Sequence, residues 1–542
     1  MKKQKLFGTI IALSTMALAS CDITDLIIRP SQWIDDSTPV KSIVNTEGRV
    51  TMGRSAKDLY TNSAYLDMDA CPSLGAPKLL VIPVWFANSG NFILAENKST
   101  IREDIQKAYF GSKEETGWHS VSSYYEEESG GKLKLQGTVS DWYSADYTSN
   151  QLDSSSGEAL TKALVREATD WFFASNPSES RKDYDYDGNG HLDGVILIYG
   201  APDSWNSAGG SGSRTNLWAY CAWLEDNNKS IASPTPDVYF WASYDFMYSP
   251  PAGILEDKPK RNAYDATGKS TVGGGDTRFC EIDAHTYIHE FGHMLGLEDY
   301  YDYATTNQTY PAACFSMQDN NVGGHDPFSL IELGWTDPYI PMESCTIEIG
   351  AFTTNHDVIL LTPEWNAAYS PFDEYILIEL YSPSGVNKFD HDYRYQKRYP
   401  QGASKTGLRV WHVDARLTRC TNKLGTIVWS TDLTTDPNKG NVHIAASNTS
   451  KGVPGYESVL GSYGDKYYDY NLLQLIRKGD AKKELADSDL FYSGDTFTMN
   501  DFRKQFPNNG KLNSQKELGW EFAVNIEGSG GGAVATINLT KK

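Results

Sequence analysis

Two histidines and a glutamate, spaced as on consecutive turns of a helix, are the residues of this sequence best suited to catalysis. They occur in the run HEFGHMLGLED, residues 289–299, which fits the pattern HExxHxxGxxD. Residues four positions apart lie on one face of a helix, so His289 and His293 can bind one metal ion together. Glu290 lies beside them and can reach a water molecule bound to that ion, where its carboxylate would act as a base.

The residues after the second histidine supply a turn and a third ligand. Gly296 is expected to end the helix, because glycine adopts a left-handed backbone at little cost. The chain then turns back, so Asp299 can fill a third position on a zinc ion and leave a fourth for water. Glu298 and Asp302 could reach the metal instead, although the motif favours Asp299. The competing interpretation of HExxH alone is a buried amphipathic helix whose two histidines are hydrogen-bonded. His285, one turn earlier, is expected to be a core or supporting histidine rather than a ligand.

A second run, DYDGNGHLD at residues 185–193, has the spacing of a calcium-binding loop. Oxygen ligands are expected at positions 1, 3, 5 and 9, with a backbone carbonyl at position 7. The residues at these positions are Asp185, Asp187, Asn189 and Asp193, with His191 at position 7. Gly190 would take the tight turn, and Asp183 offers a shifted register. Ile196 stands where a bidentate acid is expected, so further ligands must come from elsewhere. The alternative is an Asp/Asn/Gly turn that leads into a strand.

The N-terminus has the features of a bacterial lipoprotein signal peptide. Lysines at positions 2, 3 and 5 precede a short apolar stretch, residues 6–18, and the run Leu-Ala-Ser-Cys ends at Cys21. The pattern predicts cleavage before Cys21 and lipidation of its thiol, so that acyl chains anchor the protein to a membrane. An ordinary secretory signal with a chance cysteine is the alternative. No later apolar run is long enough to span a bilayer. We therefore expect a location in the cell envelope, at the cell surface or facing the periplasm, or outside the cell.

Composition excludes one class of partner and allows several domains. The chain has 542 residues and a formal net charge of −22, which argues against nucleic-acid binding because phosphates attract basic surfaces. Seven cysteines are present, and without Cys21 the remaining six could form disulfides in an exported protein. Cys71 could also bind the metal in a latent form, although a disulfide or a free thiol is the expectation. We expect a monomer.

The pattern of apolar residues divides the chain into segments. Residues 22–75 are polar and read as a tether or possible prosegment. Strands are expected at 78–86, 132–139 and 195–199, with an amphipathic helix at 157–174, which gives residues 76–340 an α/β order. Residues 341–542 lose helical periodicity and carry short apolar or alternating runs, typical of a β-sandwich-like region. The clearest of these runs are residues 358–361, 375–381, 407–413 and 534–539.

Several segments, together with the HExxH motif, resemble the M6 metallopeptidases, the immune-inhibitor-A-like group of metzincin-like zinc proteases. They are residues 121–133, 185–200, 375–379 and 407–412. The resemblance extends from about residue 76 to 415. It implies an α/β (α+β) metzincin-like zinc protease domain at 76–340, followed by the β-sandwich-like region.

The resemblance also implies a methionine turn beneath the metal. Met317, 24 residues after His293, is the candidate, against the alternative of an ordinary loop methionine. Many metzincins have a tyrosine two residues later that helps to hold the oxyanion. Asp319 occupies that position here, so no tyrosine role is carried over and the group that assists the zinc stays open.

The function implied is that of a secreted, lipid-anchored, zinc-dependent endopeptidase. It would hydrolyse protein or peptide substrates with a zinc-activated water and Glu290 as the general base, and calcium would have a structural role. One alternative is an envelope lipoprotein that binds glycan or protein through its β-rich region, with a vestigial metal site. Another is a zinc hydrolase acting on an amide that is not a peptide, which the motif alone does not exclude.

Overall fold

The computed structural model describes most of the chain after the first 47 residues. The described residues are 48–52, 69–116, 118–202, 216–224, 228–248, 282–303, 309–365, 370–392, 400–423, 426–430, 441–444, 446–449, 470–478, 485–506 and 508–542. The predicted signal peptide with Cys21 lies outside them, as does most of the predicted tether. Among the described cysteines, Cys221 and Cys345 carry free thiols.

The chain forms two compact units. The first unit is Leu66–Leu297, and the second consists of Met1–Tyr65 with Glu298–Lys542. The sequence places a domain limit at residue 340, and the division between the compact units falls earlier. The division into compact units does not define the functional domains, so the predicted domain limits stay predictions.

A largely parallel sheet is the centre of the first unit. Its strands are β1 (Lys78–Trp85), β2 (Gln136–Val139), β3 (Tyr143–Ser144), β4 (Val195–Tyr199), β5 (Tyr220–Trp223) and β6 (Val238–Ser243). The order is β2-β1-β4-β6-β5, with β3 also on β1. Only β5 among these strands runs antiparallel to its neighbour. The helices are α1 (Lys98–Phe110), α2 (Lys113–Thr116), α3 (Val121–Glu128), α4 (Ser149–Leu152), α5 (Gly157–Ser175) and α6 (His285–Met294).

Burial explains why these segments fold as they do. All five residues of β4 are buried, as expected for a parallel strand covered on both faces. The apolar stripe of α5 includes Leu164 and Phe172, which share one core with Leu197 and Trp241 of the sheet. The predicted strands at 78–86 and 195–199 and the helix at 157–174 are therefore confirmed.

The strand predicted at residues 132–139 is wrong at its N-terminal end. Only Gln136–Val139 pairs with β1, because β1 begins at Lys78, opposite Gln136. Leu133 instead makes an isolated bridge with Gly75, whose φ of 88° turns the chain before β1. The alternation of buried leucines continues through 133–135, and Gly75 exchanges backbone hydrogen bonds with Lys132 and Lys134, but these residues form no regular strand.

The second unit consists mainly of antiparallel sheet. Its strands are β7 (Cys345–Gly350), β8 (Val358–Leu361), β9 (Glu374–Tyr381), β10 (Gly407–Asp414), β11 (Leu417–Lys423), β12 (Thr426–Ser430), β13 (Asn441–Ile444), β14 (Leu473–Ile476), β15 (Thr496–Phe497), β16 (Trp520–Glu527) and β17 (Val534–Lys541). The sheets have the orders β14-β10-β9-β8, β12-β11-β13 and β15-β16-β17-β7. The helices described are α7 (Pro327–Glu332), α8 (Phe352–Asn355) and α9 (Asn387–Asp392).

The two four-stranded sheets share one apolar core. Ile378 of β9 and Val410 of β10 belong to the same buried cluster as Phe522 of β16 and Ile537 of β17. The mixed α/β fold and the β-rich character of the C-terminal region are thus confirmed. In the described part of the chain, no helix is long and apolar enough to cross a membrane.

Candidate metal centre

The helix that carries the histidines, α6, ends in a glycine turn of the Schellman type. The N–H of Leu297 donates to the carbonyl of Gly292 at 3.1 Å, and the N–H of Gly296 donates to the carbonyl of His293 at 3.0 Å. These two bonds satisfy carbonyls that the end of a helix leaves open. Gly296 has a φ of 101°, a conformation that a residue with a Cβ rarely adopts. The glycine therefore decides where the chain turns back.

The turn orients one of the two histidines. It brings the carbonyl oxygen of Leu297 to 2.8 Å from Nδ1 of His293. Because a carbonyl only accepts hydrogen bonds, Nδ1 must carry the proton and Nε2 is left with its lone pair for a metal. The ring of His289 lies 5.0 Å from that of His293, at an interplanar angle of 86°.

The structure brings the predicted ligand set together. One ligand atom from each of His289, His293 and Asp299 lies within 4.8 Å of the other two. Two imidazoles and one carboxylate are a donor set that zinc accepts, with a fourth position for water. The described residues therefore fit the metal that the motif implies.

The neighbouring acids and His285 do not join this group of ligand atoms. Among the described residues, the group contains neither Glu298 nor Asp302. The carboxylate of Asp302 instead accepts from the N–H and the hydroxyl of Thr309, at 2.9 and 2.8 Å. His285 is buried, and its ring centroid is 6.5 Å from that of His289.

Glu290 is buried in α6 next to the two histidines predicted as ligands, with 8% of its surface exposed. Its charge affects two nearby groups, the phenol of Tyr109 and the thiol of Cys221. Burial raises the pKa of Tyr109 and of Cys221 well above their ordinary values, and the negative charge of Glu290 contributes to both shifts. The phenol and the thiol therefore keep their protons.

Tyrosine hydroxyls fix α6 from two sides. Tyr125 of α3 donates to the carbonyl of Ile288 at 2.7 Å, and Tyr287 donates to the carbonyl of Ser243 at 2.9 Å. The ring of Tyr125 also packs edge-on against Phe291 at 5.1 Å. Tyr125 lies in residues 121–133, a segment of family resemblance in the sequence, but the sequence assigned it no such contact. A hydroxyl that reaches 163 residues along the chain leaves no local signal.

Cys71 lies near the end of α6, and its thiol is not among the grouped ligand atoms of the described residues. Its backbone N–H donates to the carbonyl of Met294 at 2.8 Å, while its thiol lies 3.8 Å from the carbonyl oxygen of Pro72. Among the described residues, the metal group does not include Cys71. The residue helps to cap the helix that carries the histidines.

The predicted methionine turn at Met317 contacts the segment that carries Asp299. Met317 is fully buried, and the N–H of Tyr300 donates to the carbonyl of Gln318 at 2.8 Å. Burial raises the pKa of Asp319 to about 7, and the charge of Asp299 contributes to the shift. The turn therefore lies beside the third predicted ligand.

The acids of the second predicted cation site also lie close together. Carboxylate oxygens of Asp185, Asp187 and Asp193 lie within 4.8 Å of one another. The pKa of Asp185 is raised, mainly by burial and further by the charge of Asp187. Gly190 has a φ of 96°, which turns the loop at the position where the tight turn was predicted. Three acids held this close repel one another, so a divalent cation would fit them.

Asn189 of the loop contacts an acid from outside the loop. The side-chain oxygen of Asn189 accepts from the N–H of His191 at 2.8 Å, and its amide donates to the carboxylate of Asp69. Asp69 thus lies beside the loop, although it precedes it by more than 100 residues. The sequence left the further ligands open, and no spacing rule could have named Asp69.

Comparison with known proteins matches the first unit to a peptidase family. Residues 78–251 match the model of the immune inhibitor A peptidase M6 catalytic domain. Over these residues the chain is similar to the M6 metallopeptidases. The chain is 26% identical over 248 residues to the pre-pro-metalloprotease PrtV of Vibrio cholerae serotype O1. It is 24% identical over 336 residues to immune inhibitor A of Bacillus thuringiensis subsp. alesti.

The matches cover only part of each protein. The aligned segments make up 41% and 55% of this chain, and 23% and 42% of PrtV and immune inhibitor A, respectively. The family match ends at residue 251, ahead of the HExxH motif. The family resemblance predicted from the sequence is confirmed, whereas the roles of individual site residues stay predictions.

The glycine turn yields a prediction for Gly296→Ala. A Cβ in a left-handed conformation costs about 1–2 kcal/mol, so the free energy of unfolding should fall by about that amount. Zinc affinity should also fall, because relief of the strain moves the Leu297 carbonyl away from His293. Denaturant unfolding and zinc titration against a chromophoric chelator measure the two effects.

Gly494→Ala is the matched control, because Gly494 has a similar φ of 90° and no atom within 4 Å of the added Cβ. This variant should lose stability but keep its zinc affinity. Unchanged zinc affinity in Gly296→Ala would contradict the role given to the turn.

Proposed function

We propose that this protein is a zinc-dependent endopeptidase that hydrolyses protein or peptide substrates. The observation that carries the proposal is the convergence of His289, His293 and Asp299, with Glu290 next to the first histidine. The relationship to the M6 metallopeptidases supports it, as does the name of the relative PrtV, a metalloprotease. The resemblance to metzincin-like proteases implies a histidine helix, a glycine turn and a buried methionine such as Met317. We propose a metzincin-like fold for the catalytic domain.

The chemistry follows from the donor set and its neighbour. A bound zinc ion would polarise a water molecule, lower its pKa toward about 7 and polarise the carbonyl of the substrate. Glu290 accepts the proton of the attacking water and later returns it to the leaving amine. His293 is held by Leu297 in the tautomer that keeps Nε2 available, so it need not reorient during the reaction. Asp299 supplies the negative charge of the ligand set.

We also propose that calcium binds at Asp185, Asp187 and Asp193. The carbonyl of His191 and the side chain of Asn189 belong to the predicted loop, and the carboxylate of Asp69 beside it is a further candidate ligand. Calcium binds six or more oxygens, so ligands from outside the loop are needed. The ion would stabilise the turn that leads into the central strand β4 and would take no part in the reaction.

The location follows from the N-terminus. We propose that the protein is exported and lipidated at Cys21, so that only acyl chains hold it to a membrane. The lipobox-like run before Cys21 supports this proposal.

The experiment that tests the catalytic proposal is Glu290→Gln. The amide has the size of the carboxylate but cannot accept the proton, so kcat/KM for casein should fall by about 10²–10⁴. Zinc content should stay at one per chain, because Glu290 is not among the grouped ligand atoms. Zinc analysis and protease assay of the same purified sample measure both.

The matched control is Glu298→Gln, which makes the same substitution at an acid outside the metal group. It should retain protease activity. Full activity in Glu290→Gln would overturn the assignment of the base, and a wild-type protein that retains no zinc would overturn the proposed function.

Calcium binding predicts a shift in thermal stability. Metal-free protein reloaded with zinc only should be stabilised by added calcium, by about 2.7 kcal/mol when free calcium is about 100 times Kd. Asp187→Asn should reduce the shift, whereas Asp183→Asn, an exposed neighbour outside the group, should keep it. Calorimetry of the three proteins measures the shift. A wild-type transition that calcium does not move would refute the site.

Lipidation predicts that the wild-type protein partitions into detergent and that its mature N-terminus carries the added mass of acyl chains. Cys21→Ala should lose both properties, because no thiol remains to be modified. Cys345→Ala, which removes a free thiol of the second unit, should keep them. A mature protein that starts at Cys21 without added mass would show that the signal is an ordinary secretory one.

A further inference from the structure

A tyrosine contacts the third predicted metal ligand. The hydroxyl of Tyr303, four residues beyond Asp299, donates a hydrogen bond to Oδ2 of Asp299. The ring of Tyr303 packs on that of Tyr301, with centroids 5.3 Å apart. The side chain is thus held by its ring as well as by its hydroxyl. No motif drew attention to this tyrosine in the sequence.

The three predicted ligands differ in how their backbone is fixed. His289 and His293 lie on α6, whose hydrogen bonds set the direction of both side chains. Asp299 lies beyond the glycine turn, in a segment without regular secondary structure. Its carboxylate can rotate about two side-chain bonds, so a contact from a neighbouring group is needed to hold it in one orientation.

A hydrogen bond to one oxygen does not prevent metal binding. An ionised carboxylate has two oxygens and about four lone-pair sites. It can accept from the Tyr303 hydroxyl and still present an oxygen to the metal. Carboxylates that bind metals are regularly hydrogen-bonded in this way, and the partner sets their orientation.

The Tyr303 hydroxyl stays a donor. An ionised carboxylate only accepts hydrogen bonds, so the Tyr303 hydroxyl is the donor in this contact. The contact parallels the one between His293 and the carbonyl of Leu297, since each ligand is oriented by a partner a few residues later.

We propose that Tyr303 is a positioning residue that orients Asp299 for zinc binding. The inference rests on the proposed function, because it assigns a role toward the same metal. Tyr303 acts through Asp299 and not on the substrate. Its loss should therefore weaken zinc binding, whereas a tyrosine that acts on the substrate would change turnover at unchanged zinc affinity.

The test is the zinc dissociation constant of Tyr303→Phe, measured by competition with a chromophoric chelator. Removal of a partner of this kind typically weakens metal binding by about 10–100-fold, and we expect a loss in this range. At saturating zinc, the KM for a peptide substrate should stay at the wild-type value. Circular dichroism of the zinc-free proteins shows whether the variant is folded.

Tyr375→Phe is the matched control. Its hydroxyl is buried in the second unit and donates to the carbonyl of Pro371 at 2.7 Å, so its removal also deletes one hydrogen bond. This variant should bind zinc as the wild type does. If Tyr303→Phe does not fold, Tyr303→His, which keeps an N–H donor, takes its place and should retain most of the affinity.

A double-mutant cycle with Asp299→Ala separates positioning from a general structural role. Once the carboxylate is absent, Tyr303→Phe should weaken zinc binding no further. Wild-type zinc affinity in Tyr303→Phe, or an equal loss in both backgrounds, would overturn the inference. A wild-type protein without zinc affinity would instead overturn the proposed function, so the two failures are distinguishable.

Discussion

The hydrogen bond between His293 and the carbonyl of Leu297 is the interaction on which the candidate centre depends. It exists because Gly296 allows the helix to end in a left-handed turn, which brings the next carbonyl back to Nδ1 of the ring. One local conformation therefore does two things at once. It fixes the tautomer of a predicted ligand, and it sends the chain toward Asp299. A helix that continued for another turn would do neither.

The surroundings of the helix explain how it is held in place. Tyr125 and Tyr287 donate hydroxyl hydrogen bonds to backbone carbonyls on or near α6, and their rings pack against other aromatic side chains. A buried tyrosine contributes a large apolar surface and needs a partner for its hydroxyl. Such residues specify one position of the helix, because a shift would leave the hydroxyls without acceptors. A metal centre needs that rigidity, since its ligands must keep their geometry without the ion's help.

Both candidate cation sites concentrate negative charge in a chain that is already acidic, with a formal net charge of −22. Asp185, Asp187 and Asp193 repel one another, and the pKa of Asp319 near Asp299 is raised to about 7. Cations would relieve this repulsion in the folded state, where the acids are close, more than in the unfolded chain, where they are apart. Metal binding and folding are for this reason expected to be linked.

The local features of the fold and of the candidate site follow from the sequence alone. The apolar periodicity predicted β1, β4 and α5, and the eleven-residue motif predicted which histidines and which acid come together, because helix and turn geometry fix spacings over a few residues. The sequence did not predict which residues pair over longer distances, as the shortened strand β2 shows. Only the tertiary structure placed Asp69 beside the predicted calcium loop and the Tyr125 hydroxyl on α6. It also decided the contact of Tyr303 with Asp299, because irregular backbone has no period from which the direction of a side chain could be inferred.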